Sequence, residues 1–169
     1  KRQICSDKTG TLTQNEMTAV QLYCNGSFLR ISGEGYRPYG RFFREGQAVD
    51  PGSDPHLQEL LRGALLCNDA FLETSGAGSG RLRTWRLVGD PTEGALVVAA
   101  AKAGLHKESL ESRFPRVAEI PFDPERKRMT TIHRLPEGEG KYIAYVKGAP
   151  DIILNLCRYI MEDGQVAPL

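Results

Sequence analysis

Residues 117–150 read VAEIPFDPERKRMTTIHRLPEGEGKYIAYVKGAP, in which three apolar stretches are separated by short polar turns. β-branched and aromatic residues that alternate with polar ones are typical of strands with one buried face. The pattern predicts strands at 117–120, 129–135 and 142–147, with turns at 121–127 and 136–140. We expect these strands to pair antiparallel, because parallel neighbours need a crossover of a dozen or more residues.

Helix start signals occur on both sides of this region. Asp54 and Asp90 are candidate N-cap residues, because each is followed by a proline that suits the first helical position. Glu93 stands three residues after Asp90, which is the spacing of a capping box. Further helices are predicted at 107–113 and from Pro150 through Tyr159.

The first third of the chain contributes more β-structure. Asn25 and Gly26 lie between two stretches rich in β-branched and aromatic residues, at 17–23 and 28–32, which is a strong hairpin signal. Residues 33–52 are rich in Gly, Arg and aromatics and predict a loop or an irregular hairpin. Helices packed on a mainly antiparallel twisted sheet make an α+β fold, and that is the predicted class.

Composition excludes two classes of protein. The chain has 169 residues, of which 40% are apolar and 25% charged, and 22 basic against 21 acidic residues give a formal charge of +1. This balance argues against a broad basic surface, so we expect no nucleic-acid partner. No apolar run approaches the roughly 20 residues that span a bilayer, so we expect this piece to be soluble. It opens at Lys1 without a methionine, and we expect it to be part of a longer protein.

The sequence DKTGTLT at residues 7–13 carries the chemistry. Asp7 follows a short apolar stretch and can act as a nucleophile towards a phosphoryl group. Lys8, Thr9 and Gly10 supply a cation, a hydroxyl and a closely approaching backbone, all of which suit phosphoryl charge. From these residues alone, an ordinary polar loop remains equally plausible.

The motif resembles the phosphorylation signature of the P-type ATPases, cation pumps in which ATP transiently phosphorylates an aspartate. Further segments resemble nucleotide-domain motifs of that family, in the family's order, and together they cover essentially the whole chain. They are CND at 67–69, GDPTEGAL at 89–96, PFDPERKRM at 121–129 and KGAP at 147–150. The resemblance favours the calcium-pump branch. It implies two parts, a phosphorylation-loop segment of an incomplete haloacid-dehalogenase-like domain at 1–15 and a nucleotide-binding domain at 16–169.

The resemblance assigns roles at the phosphorylation loop. Asp7, Lys8 and Thr9 would be catalytic, with Asp7 as nucleophile and Lys8 and Thr9 stabilising phosphate. Asp7 and Thr9 would also hold Mg²⁺, the second cofactor beside ATP. The implied partners are adenine nucleotide and the remaining phosphorylation, actuator and transmembrane domains of a parent pump. The chain would then be a cytoplasmic portion of an integral membrane protein.

The resemblance also assigns a nucleotide site. Phe122 would stack on adenine, Lys147 would contact the adenine pocket, and Lys127 would lie near the phosphates. Glu93 would bind near the adenine amino group, although completing the capping box is an alternative role. Met129 and Gly148 are assigned to the same site.

Two other classes of protein stay open at this point. A haloacid-dehalogenase-type phosphatase also uses an Asp nucleophile, but such enzymes commonly have a second Asp at the position that Thr9 occupies here. A non-catalytic domain that binds adenine nucleotide for regulation is the other alternative. The segments that would complete a phosphorylation domain are missing from the sequence, so we expect this chain to bind nucleotide without turning it over.

Overall fold

The computed structural model describes residues 16–75, 84–136 and 140–169. The four α-helices of this part are α1 (Pro55–Leu66), α2 (Pro91–Lys102), α3 (Lys107–Arg113) and α4 (Pro150–Leu156). Its strands are β1 (Gln21–Cys24), β2 (Ser27–Ile31), β3 (Phe42–Arg44), β4 (Gln47–Val49), β5 (Phe71–Ser75), β6 (Thr84–Val88), β7 (Arg116–Asp123), β8 (Arg128–Arg134), β9 (Tyr142–Gly148), β10 (Tyr159–Glu162) and β11 (Gln165–Pro168).

The strands form antiparallel sheets that follow the chain order. β1 to β4 form one four-stranded sheet, β7 to β9 form a three-stranded sheet, and β5–β6 and β10–β11 are two-stranded. The predicted α+β class with antiparallel strands is confirmed. The predicted irregular hairpin at 33–52 contains β3 and β4, which pair around Glu45 and Gly46, both at positive φ.

The caps of α1 and α2 were predicted correctly. The carboxylate of Asp54 accepts hydrogen bonds from the amides of His56 and Leu57, at 3.1 and 3.0 Å. Asp90 does the same for Thr92 and Glu93, at 2.8 and 3.3 Å. These bonds satisfy amides that have no partner within the helix, so both helices begin at the proline that follows the cap.

The core lies between the first sheet and helices α1 and α2. Its buried side chains come from β1, β2, β3, both helices and the segment after α1: Cys24, Leu29, Ile31, Phe42, Leu57, Leu61, Leu65, Ala70, Val97, Ala99 and Ala100. The apolar residues of α1 recur at helical spacing and fix one face against this core. The buried residues Val97, Ala99 and Ala100 hold α2 against the same core.

The three-stranded sheet packs one face against α1. Met129, Thr131 and His133 alternate as buried positions on β8, at 3%, 0% and 0% exposure. Tyr145 stands opposite Thr131 on β9 and its hydroxyl donates to Glu59 of α1 over 2.9 Å. This contact fixes the distance between α1 and the strands that carry the predicted site.

Three sequence-based boundaries were wrong, and the first is that of β1, which was predicted from residue 17 and begins at Gln21. The predicted turn at 121–127 begins later, because β7 runs through Pro121 and Phe122 to Asp123. Pro121 is tolerated there because β7 is an edge strand and its pairing is irregular between Ile120 and Asp123.

The last helix is also shorter than predicted. α4 ends at Leu156, and Tyr159 begins β10. Asp163 and Gly164, at φ values of 48° and 75°, form the turn of the β10–β11 hairpin. An Asp-Gly pair between short apolar runs is a hairpin signal that outweighs the helical spacing of the preceding residues.

Residues 1–15, and with them the predicted phosphorylation-loop segment, lie outside the described residues. Within the described ranges, no helix combines the length and apolar character needed to cross a membrane.

Candidate functional site

Glu93 lies in the first turn of α2, and its carboxylate has partners on two sides. Oε1 lies 2.5 Å from Nζ of Lys147, near the end of β9. Oε2 accepts hydrogen bonds from the amides of Asp69 and Ala70, at 3.2 and 3.1 Å. The side chains of Glu93 and Lys147 are 20% and 25% exposed, so both remain accessible to a ligand.

These contacts bear on the capping role considered for Glu93. Asp90 caps α2 as predicted, but the described bonds of the Glu93 carboxylate go to Lys147, Asp69 and Ala70. The reciprocal half of the capping box, a bond from Glu93 back to the Asp90 amide, is not among them. The carboxylate is therefore turned away from its own helix end and towards the three-stranded sheet.

The segment 67–70 forms the support behind Glu93. Asn68 is fully buried, and its Nδ2 donates to the backbone oxygens of Ala64 and Glu93, at 3.3 and 3.0 Å. Its Oδ1 accepts from the amide of Ala70 at 2.9 Å. The Asn68 side chain thus joins the end of α1 to the start of α2 and fixes the turn between α1 and β5.

Two cations hold the opposite side of this turn. Nζ of Lys107 donates to the backbone oxygens of Asn68 and Ala70, at 2.7 and 3.0 Å. Nη2 of Arg116 donates to the backbone oxygens of Leu66 and Asn68, at 3.0 and 2.8 Å. Sequence reasoning missed both residues, because neither belongs to a motif and each acts on backbone far away in the chain.

The surroundings shift the pKa of both cations. Burial lowers the pKa of Lys107 below its usual value, an effect that the neighbouring Glu111 opposes. Burial also acts to lower the pKa of Arg116, but hydrogen bonds with Asp69 and Glu119 outweigh it and raise that pKa. Nη1 of Arg116 donates to both carboxylates at 2.7 Å.

Phe122 and Lys127 lie at the β7–β8 connection. Phe122 is 61% exposed, as a stacking platform requires and a core residue would not be. The connection is built by Asp123, whose Oδ1 accepts from the amides of Glu125 and Arg126, each at 2.8 Å. Those bonds, the Arg126 amide first, lower the pKa of the Asp123 carboxyl. Lys127 closes the turn at a φ of 51° and is exposed.

Gly148 ties this turn to β9. A Cβ atom at Gly148 would stand 2.4 Å from the backbone oxygen of Lys127, closer than any side chain can come. That same oxygen accepts from the amide of Ala149 at 3.0 Å. Only glycine lets β9 approach the turn closely enough to place Lys127 beside the end of the strand that carries Lys147.

Met129 has a different position from the other predicted nucleotide residues. It pairs with Lys147 in the β8–β9 register, as Arg128 pairs with Gly148, but it is only 3% exposed. The sheet therefore brings Lys127, Met129, Lys147 and Gly148 to one end of β8 and β9, with Met129 buried beneath. Asp7, Lys8 and Thr9 lie outside the described residues.

Within residues 16–75, 84–136 and 140–169, no group of three His, Cys, Asp or Glu side chains is placed to hold a metal ion. The residues predicted to bind Mg²⁺, Asp7 and Thr9, are not among those ranges.

The described part of the site presents an aromatic surface, two cations and a carboxylate. That set suits a flat base with an anionic tail.

The family model described as P-type ATPase, cytoplasmic domain N, matches residues 56–169. The match includes every described residue of the predicted nucleotide site. The chain belongs to this family.

Individual proteins similar to this chain are also named as cation-transporting or calcium-transporting ATPases. The chain is 42% identical to the cation-transporting ATPase pma1 of Synechocystis sp. over 98% of its length, and 40% identical to a calcium-transporting ATPase of Bacillus subtilis over 97%. It is 34% identical to the calcium-transporting ATPase type 2C member 1 of Bos taurus over 98%. The chain spans 18%, 18% and 16% of the length of these three relatives.

Proposed function

We propose that this chain binds ATP as the nucleotide-binding domain of a cation-transporting P-type ATPase. The observation that carries the proposal is the pairing of Glu93 with Lys147 at the end of the sheet that also presents an exposed Phe122 and Lys127. A carboxylate can accept from the adenine amino group, an aromatic face can stack on the base, and a lysine can attract the phosphates.

Each residue has a distinct proposed contact. The ring of Phe122 stacks on adenine, which contributes about 1–3 kcal/mol for a base on an aromatic side chain. Glu93 accepts a hydrogen bond from the adenine amino group, and Lys147 borders the base. Lys127 is a point charge near the phosphates. Met129 and Gly148 support these contacts from within the sheet, since one is buried and the other permits the close turn.

We also propose that residues 1–15 are the phosphorylation segment and that residues 16–169 are the nucleotide-binding domain. Phosphoryl transfer in the parent protein would take place at the first of these segments. A carboxylate oxygen of Asp7 attacks the γ-phosphorus, the bond to the β–γ bridging oxygen breaks, and ADP leaves with that electron pair. Lys8 and Thr9 stabilise the transferred group. Mg²⁺, held through Asp7 and Thr9, would neutralise phosphate charge when bound.

The relatives' names extend the proposal to a whole protein. We propose that the parent is an integral membrane pump for a cation, with calcium favoured, and that this chain lies on its cytoplasmic side. Phosphorylation, actuator and transmembrane domains would be the partners of this chain. The chain alone should not hydrolyse ATP above background, because phosphoryl transfer depends on positioning groups that those domains supply.

Titration of the chain with ATP, followed by amide NMR shifts, tests nucleotide binding. We expect a dissociation constant between about 10 µM and several mM, or roughly 3–7 kcal/mol. The amides around Phe122, Lys127, Lys147 and Glu93 should shift. No shift at mM ATP, or shifts confined to β1–β4, would reject the proposal.

A further inference from the structure

In the turn behind Glu93, backbone oxygens accept hydrogen bonds from side chains on one side, and backbone amides donate to Glu93 on the other side. The peptide group between Asn68 and Asp69 shows this most clearly. Its oxygen accepts from Lys107 at 2.7 Å and from Arg116 at 2.8 Å, and its N–H donates to Oε2 of Glu93 at 3.2 Å. In a trans peptide the C=O and N–H point in opposite directions, so fixing the oxygen also aims the hydrogen. The described residues contain no cis peptide bond.

We propose that Arg116, assisted by Lys107, is a positioning residue for the nucleotide site, acting through the Asn68–Asp69 peptide on the carboxylate of Glu93. The inference rests on the proposed function of Glu93 as a nucleotide ligand. Arg116 itself does not contact Glu93 in the described structure; its partners are Leu66, Asn68, Asp69 and Glu119.

The shape of the guanidinium is what this position requires. Its two terminal nitrogens lie in one plane, and each serves two acceptors: two carboxylates for Nη1 and two backbone oxygens for Nη2. A lysine ammonium is a single point with three donors and cannot span both pairs. Arg116→Lys therefore keeps the charge and removes the geometry, which separates positioning from simple attraction of an anionic nucleotide.

The burial of the Arg116 side chain distinguishes its contacts from those of a surface ion pair. The side chains of Arg116 and Lys107 are 21% and 13% exposed, although each carries a charge. Two adjacent cations converge on one backbone oxygen, and their mutual repulsion is offset by Asp69, Glu111 and Glu119. With Oε2 of Glu93 held by two amides, the other oxygen is directed towards Lys147.

A double-mutant cycle on the 169-residue chain tests the proposal, with ATP affinity and unfolding free energy measured for each variant. Arg116→Lys should weaken ATP binding about three- to tenfold in the wild-type background and less than about twofold in a Glu93→Gln background. A merely structural loss would lower affinity equally in both. Inorganic tripolyphosphate should bind Arg116→Lys and wild type alike, because the affected contact is to the base.

Arg134→Lys is the matched control, since Arg134 is an exposed arginine on β8, and it should leave ATP affinity unchanged. If Arg116→Lys fails to fold, Lys107→Met should give the same non-additivity with Glu93→Gln. In the wild type, the amide protons of Asp69 and Ala70 should shift on ATP addition. If the wild type binds ATP but the effects of the two substitutions are additive, or the two amide protons do not shift, this inference alone is overturned. If the wild type does not bind ATP, the proposed function is overturned.

Discussion

Nζ of Lys147 lies 2.5 Å from Oε1 of Glu93, although 54 positions separate the two residues in the chain. The contact joins the first turn of α2 to the end of β9. Both residues are proposed to contact adenine and would border that ligand from two different elements. Their pairing in the free chain keeps a carboxylate and an ammonium together where the base would enter.

Lys147→Met removes the ammonium and keeps most of the aliphatic stem. Because the pair is partly exposed and Glu93 retains two amide donors, we expect the unfolding free energy to change by no more than about 1 kcal/mol. ATP affinity should fall about three- to tenfold, since a close contact at the base is lost. Lys141→Met, at an exposed lysine before β9, is the control. Equal ATP affinities in the two variants would contradict the proposed role of Lys147.

Phe122→Ala separates recognition from folding. The ring is 61% exposed, so its removal leaves no cavity and should cost little stability. ATP binding should weaken by about 1–3 kcal/mol through lost stacking. Phe42→Ala is the matched control: that ring is 1% exposed, and its loss should cost about 3–5 kcal/mol of unfolding free energy.

Denaturant melts and ATP titrations of both phenylalanine variants are the measurements. A large stability loss for Phe122→Ala, with unchanged affinity in the folded fraction, would show that Phe122 is a core residue instead.

Gly148→Ala tests the close approach of β9 to the Lys127 turn. The added Cβ would meet the backbone oxygen of Lys127 at 2.4 Å, so the turn must move. We expect a loss of about 1–3 kcal/mol in unfolding free energy, as for other overpacked sites, and weaker ATP binding. Gly52→Ala is the control, because its nearest atom is the carboxylate end of Asp50 at 3.3 Å. Wild-type stability in Gly148→Ala would refute the constraint.

The N-cap of α1 should make stability depend on pH. Burial acts to raise the pKa of Asp54, but hydrogen bonds from Arg44 and from the amides of Leu57 and His56 outweigh it and lower that pKa below its usual 3.8. A carboxyl whose pKa is lower in the folded state stabilises fully above the unfolded pKa. That stabilisation is lost as the pH falls through the folded pKa.

Asp54→Asn keeps a side-chain oxygen that can cap α1 but removes the charge that Arg44 binds at 2.7 Å, so it should lose about 1–2 kcal/mol of unfolding free energy above pH 5, where the wild-type carboxylate is charged in the folded and unfolded states. The difference between wild type and variant should shrink below about pH 3.8. Urea melts at a series of pH values measure it. Parallel curves for the two proteins down to pH 2 would show that the charge at this cap contributes nothing.

Local signals in the sequence predicted most elements well. The caps at Asp54 and Asp90 were predicted because Asp followed by Pro is a local signal. Each carboxylate accepts hydrogen bonds from amides no more than three residues further along the chain. The end of β7 was misplaced, because proline on an edge strand is decided by what lies beside the strand. Tyr159 was assigned to a helix by spacing, while the Asp163–Gly164 turn favoured a hairpin.

The site was predicted unevenly for a similar reason. The resemblance assigned Glu93 and Lys147 to one site, and the structure shows that their side chains are in direct contact, which a separation of 54 positions could not indicate. Arg116 and Lys107 have no sequence signal, since both bind backbone oxygens and any segment offers those. Met129 was assigned to the same site; it pairs with Lys147 and is 3% exposed, so the part proposed for it is support from within the sheet.

α2 carries Glu93 on a helix whose residues Val97, Val98, Ala99 and Ala100 are all buried. The Phe122 ring, by contrast, is 61% exposed at the end of β7. Tilting α2 would require repacking of the core, whereas an exposed ring can change its rotamer without disturbing buried contacts. A bound nucleotide would therefore meet a carboxylate in a fixed position and a ring that can adjust, so differences between bases would be accommodated by Phe122.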